Sequence, residues 1–98
     1  MQNPVTINGY SKIDAITASL TATPGAITAA ITAFAPKCVI IQNDPASTAN
    51  ALIGDTGATP LDLDQGASLT LYVSKPELIF ARAVGASTAT LNILILGD

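Results

Sequence analysis

Ala15-Ile16-Thr17-Ala18-Ser19-Leu20-Thr21-Ala22 and Ala26-Ile27-Thr28-Ala29-Ala30-Ile31-Thr32-Ala33 are near-copies of one text, separated by Thr23-Pro24-Gly25. In the first copy Ile16, Ala18, Leu20 and Ala22 fall on one side and Thr17, Ser19, Thr21 and Thr23 on the other. That period of two is what a half-buried strand requires. The second copy repeats it with Ile27, Ala29, Ile31 and Ala33. Pro-Gly between them supplies a fixed φ and then a residue free to take positive φ, as a tight turn demands. The reading is a hairpin of two paired strands, and with it a chain built as sheet. Ile13, Ile16 and Leu20, and again Ile27, Ile31 and Phe34, also fit a helical stripe. The repeated Thr and Ile favour strand, because β-branched side chains pack well on a pleated surface.

Outward from this pair the chain continues in short extended segments. Val5-Thr6-Ile7 before Asn8-Gly9 reads as a strand with a hairpin-type turn, or as an ordered arm over residues 1–12. Lys37 to Asn43, after Pro36, is a nearly continuous apolar run whose two faces are both expected to be covered. Asp44-Pro45-Ala46-Ser47-Thr48 is a loop by composition, and Ala49 to Ile53 a strand stopped by Gly54. Residues 55–66 form the longest irregular stretch and the expected contact loop. Ser68 to Val73, Leu78 to Val84 and Thr88 to Leu96 complete the set. In the last of these, Leu94 and Leu96 sit opposite the apolar face of Leu91, Ile93 and Ile95, which implies cover on both sides. About eight short strands with turn signals every ten or so residues predict an all-β chain. The expected fold is a single small β-sandwich or jelly-roll-like domain spanning 1–98.

Composition narrows the function. Of 98 residues, 49% are hydrophobic but only 4% aromatic and 11% charged, and the mean hydropathy is +0.49. Small side chains bury little area at roughly 25 cal/mol per Å², so a modest core and burial against other subunits are expected. A net charge of −3, with Lys12, Lys37, Lys75 and Arg82 scattered, argues against nucleic acid, which needs clustered cations. No run approaches the ~20 apolar residues of a membrane span, and Met1-Gln2-Asn3-Pro4 lacks the features of a signal peptide. One cysteine, Cys38, forms no internal disulfide framework and fits synthesis in a cytoplasm.

The chain has no histidine, which removes the commonest general base and metal ligand. Neither a cofactor nor an enzymatic activity is expected. Asp55-Thr56-Gly57-Ala58 matches the motif of retroviral-type aspartic proteases, in which two carboxylates meet across a dimer and share a proton. Here the motif begins past the midpoint, follows Gly54 instead of an apolar residue, and precedes no glycine-rich flap. A turn accounts for Asp and Gly at these positions. Asp55, Asp62 and Asp64 are candidate oxygen ligands for Ca²⁺ at a spacing that matches no calcium loop; solvated loop carboxylates are the simpler reading. Asp55, Thr56, Asp62, Asp64, Tyr72 and Arg82 are the candidate partner contacts. Tyr72 lies on the polar face of its strand, and Arg82 either reaches solvent at an edge or pairs at an interface.

Cys38-Val39-Ile40-Ile41-Gln42-Asn43, Leu52-Ile53-Gly54, Leu63-Asp64-Gln65-Gly66-Ala67-Ser68-Leu69-Thr70-Leu71, Ile79-Phe80-Ala81-Arg82-Ala83 and Thr90 to Leu96 follow in an order that resembles the small β-sandwich virion proteins of tailed bacteriophages. The likeness is to those that decorate or cement the capsid, and it covers residues 37–96. The resemblance implies a non-enzymatic structural subunit, made in the host cytoplasm and seated on the capsid surface of the virion. It also implies a homo-oligomer, a trimer being favoured, and the major capsid protein as partner. A tail- or fibre-associated module, or one that binds a receptor or sugar, is the alternative; with so few aromatic residues it has little to stack on a glycan. The 55–66 loop and the N-terminal arm are the expected contact elements.

Overall fold

The computed structural model describes residues 9–85 and 87–98. Among these residues eight strands follow one another: β1 (Lys12–Leu20), β2 (Gly25–Ala26), β3 (Pro36–Asn43), β4 (Ala51–Gly54), β5 (Leu61–Leu63), β6 (Ser68–Leu71), β7 (Phe80–Ala83) and β8 (Ala89–Gly97). One short 3₁₀ turn, Pro76–Leu78, precedes β7. The strands form two four-stranded sheets, ordered β1-β8-β3-β6 and β2-β7-β4-β5. Every pairing is antiparallel. The fold is the expected all-β sandwich. The Val5–Ile7 strand and residues 1–8 of the expected arm lie outside the described residues; Gly9 turns at φ +89, and Lys12 already belongs to β1.

The alternation read from the sequence puts large side chains on one inner face and small ones on the other. From the first sheet come Val39, Ile41, Leu91, Ile93 and Ile95, all buried, with Ile16, Ala18, Leu69 and Leu71 packed around them. The second sheet answers with Ala51, Ala81 and Ala83 between Ile53 and Leu63. Alanine contributes little burial of its own, but it lets the opposing sheet's branched side chains fill the gap at the density interiors require. The radius of gyration, 13.4 Å, is that of a packed chain of this length, ~13 Å.

The duplicated segment does not form the expected hairpin. The first copy is β1, but it pairs over all nine residues with β8. Of the second copy only Ala26 is in a strand: Gly25–Ala26 pairs with β7 in the other sheet. Pro24 and Gly25 therefore carry the chain across the sandwich, and Gly25 does so without a positive φ. The physical reason is burial. β8 brings Leu91, Ile93 and Ile95 onto the inner face beside β1, more apolar area than Ile27, Ala29 and Ile31 would supply, and tertiary packing overrides local strand preference. Ile27, Ile31 and Phe34 instead turn into the core from the irregular segment between β2 and β3.

A second correction concerns residues 55–66, which are not irregular throughout. Leu61–Leu63 is a strand, paired through Leu52↔Asp62 with β4. Its alternation is only three residues long, too short to separate from loop text. Cys38 is buried, as expected of a small hydrophobe, and burial raises its thiol pKa.

Candidate functional site

The Asp-Thr-Gly-Ala stretch closes on itself. The Asp55 backbone N–H donates to the Ala58 carbonyl at 2.8 Å. Its carboxylate Oδ1 accepts from the backbone N–H of Gly57 at 2.8 Å and of Ala58 at 2.9 Å. Gly54 is required here, because a Cβ would run into the Ala58 carbonyl and lie 2.6 Å from the Thr59 Cα. This is an Asp-stabilised turn, with Asp55 and Thr56 both exposed. The two N–H donors hold the carboxylate ionised, with its pKa below the usual aspartate range.

Beside this turn the outer face of the second sheet aligns Arg82, Leu52 and Asp62 across β7, β4 and β5. Arg82 lies on an interior strand of that sheet, half-buried, and its Nε donates to Thr59 Oγ1 at 3.1 Å. It therefore ties the 55–60 turn to the sheet, a role that its place between Ala81 and Ala83 did not reveal. Asp64 accepts from Asn50 Nδ2 at 2.8 Å and begins the turn into β6 through its carbonyl. Among the described residues no group of three or more His, Cys, Asp or Glu is placed to hold a metal ion, so the three aspartates are not brought together. Tyr72, 76% exposed, belongs with the first sheet, one residue past β6. Burial first, then nearby Cys38, Tyr72 and Asp98, raise the Tyr10 phenol above its ordinary pKa. The six candidates thus divide between two surfaces.

A third surface was not singled out from the sequence. On the outer face of the first sheet the registers align Thr17, Asn92, Gln42 and Ser68 in one row, and Ala15, Leu94, Ile40 and Thr70 in the next. Asn92 Nδ2 donates to Gln42 Oε1 and to Asp44 Oδ2, each at 3.1 Å. These rows, Thr70 apart, line an open hollow of about 790 Å³. Leu96 is covered, as its position implied, but Leu94 is only half-buried and faces the hollow. The signal was present in the sequence as an apolar residue on the supposedly outer side of β8.

Asp44 and Asp55 carry a pH prediction. Asp44 accepts from the Ala46 N–H at 2.8 Å and from Asn92, and these bonds, the backbone one first, depress its pKa as they do for Asp55. A carboxylate whose folded pKa lies below its unfolded value, ~3.9, contributes stability that is full above that value and is lost as pH falls through the folded pKa. The thermal midpoint is expected to drop as pH is lowered from 5 towards 2. Replacing both aspartates by asparagine, which keeps the one oxygen that accepts from the backbone N–H groups but not the titration, should flatten that drop. Equal slopes for wild type and double variant in melts across this range would contradict it.

Comparison with protein-family models and with curated protein sequences gives no match for this chain.

Proposed function

We propose that this protein is a non-enzymatic structural subunit of a bacteriophage virion that decorates the capsid and stabilises the major capsid protein shell by burying surface against it. The observation that carries the reading is the outer face of the β1-β8-β3-β6 sheet. Ala15, Leu94 and Ile40 form an open apolar row there, with the amide row of Asn92 and Gln42 alongside. Strands fix these groups rigidly, so ordering them on binding costs little entropy. An apolar centre beside hydrogen-bonding groups is the composition of a protein contact surface. The resemblance seen in the sequence supports the same reading, since its segments include all of β6 and β7 and most of β3, β4 and β8. Many modest contacts repeated by capsid symmetry add up, each ~1.4 kcal/mol being tenfold in occupancy.

The test uses the virion whose genome encodes this chain. Particles lacking the protein should release DNA at a lower temperature than complete ones. Adding back the wild-type protein should restore the difference, while the Leu94→Lys variant should restore little of it. Particles that withstand heat and osmotic shock equally well without the protein would sink the reading.

A further inference from the structure

A sheet edge exposes unpaired N–H and C=O groups that template pairing with another chain, and proteins blunt such edges with shortness, proline, charge or bulges. Four edges arise in this sandwich, from β1, β6, β2 and β5. Three are blunted. β2 has two residues and follows Pro24; β5 has three, follows Pro60 and carries Asp62 with Asp64 next. β6 has four and runs out toward Lys75-Pro76. β1 is different: nine residues, an unbroken register with β8, and from Ala15 to Leu20 neither charge, proline nor glycine. Among the described residues nothing pairs with its second edge. The segment from Ala30 to Phe34 flanks Lys12, Ile13 and Asp14 across a hollow but makes no backbone bond to them.

We propose that β1 is a self-pairing edge, and that two copies of this chain join antiparallel along Lys12–Leu20 about a twofold axis through Ile16. The occupant is a second copy because the strand is complementary to itself. In that register Ala15 faces the partner copy's Thr17, Ile13 faces Ser19, and Asp14 faces Ala18, so no like charges meet. Even-numbered residues face even-numbered ones, which keeps Ile16, Ala18 and Leu20 of both copies on one inner side, and the first sheet continues through the contact as eight strands. The interface is isologous and closes at two. It involves the purified protein alone and holds or fails independently of the capsid reading.

The test places charges where the pairing says they meet. Light scattering of the wild type at millimolar concentration should give twice the 9.9 kDa chain mass. Ala15→Lys with Thr17→Lys sets lysine against lysine twice across the axis, at positions exposed in the monomer. It should weaken the dimer about tenfold or more while the circular dichroism spectrum and melting stay those of a folded chain. Ala15→Glu with Thr17→Lys alters the same two positions but sets opposite charges together, and should dimerise at least as well as wild type. The amides of residues 15–19 that point away from β8 should gain hydrogen-exchange protection as concentration rises. A wild type that stays monomeric, a double-lysine variant that still dimerises, or a loss of dimer in both variants alike would overturn the proposal.

Discussion

Asn43→Ala is expected to cost about 2–5 kcal/mol, a large part of the roughly 5–15 kcal/mol available to a domain of this size. Asn43 is, among the described residues, the buried polar residue of the core, at 0% exposure. Its Nδ2 donates to the Ala49 carbonyl at 3.1 Å and to the Leu63 carbonyl at 2.9 Å. The first acceptor lies just before β4 and the second ends β5, whereas Asn43 ends β3 in the opposite sheet. One amide therefore links the two layers at a point where the chain leaves regular pairing. Its backbone adds bonds to Ala67 and Gly66 in the turn before β6. Alanine keeps those backbone bonds but strands two buried carbonyls, each at ~1–3 kcal/mol. Removal of Oδ1, which has no partner among the described residues, offsets part of that. Leucine should do no better despite its similar size, because it too has no donor. Urea unfolding of both variants checks this: the midpoint should fall with the m-value unchanged. A loss below ~1 kcal/mol would mean the carbonyls find other partners.

The sequence showed this residue only as the end of an apolar strand. Asn43 follows Gln42 at the end of a nearly continuous apolar run whose two faces were both expected to be covered, so its burial was implied by its place in that run. What the run does not carry is the identity of its acceptors, since Leu63 lies in another sheet and Ala49 in a loop. The same distinction explains the rest. The segments of β1, β6 and β8 were legible as strands by their alternation, which declares an inner face, that of β3 by its continuous apolar run, and those of β4 and β7 by apolar stretches that turn residues bound. Their partners were not. The twinned Ala-Ile-Thr-Ala text argued for local pairing, and the choice between a nearby strand and β8, seventy residues on, depends on summed burial that no local window contains. Asp55 was legible as a turn from residue type alone. Arg82 was not legible as the tether of that turn, because its acceptor, Thr59, is set by the pairing of β4 with β7.

Gly97→Ala should be nearly as damaging, at about 3 kcal/mol, although it adds a single methyl group to the last residue of β8. Gly97 is buried where three strands converge, opposite Lys12 of β1 and Pro36 of β3. A Cβ there would collide with the Ala35 carbonyl oxygen and come within 2.9 Å of the Phe34 ring. The phenyl ring has a rotamer to give, at the expense of its packing on the core. The carbonyl has none, because it accepts from the Asp98 N–H at 3.1 Å while Ala35 donates back to Asp98 at 3.0 Å. Relief therefore requires the end of β8 to move, which also loosens the Ser11 N–H bond to the Gly97 carbonyl at 2.9 Å. Gly25→Ala is the matched control. Nothing lies within 4 Å of its Cβ position and its φ is not positive, so the lost unfolded-state freedom should stabilise by up to ~1 kcal/mol. Thermal melts of the two variants should move in opposite directions from wild type. If Gly97→Ala melted with Gly25→Ala, the strand end would have room to shift, and the closure of the sandwich at Ala35–Asp98 would not be the tight joint that these hydrogen bonds describe.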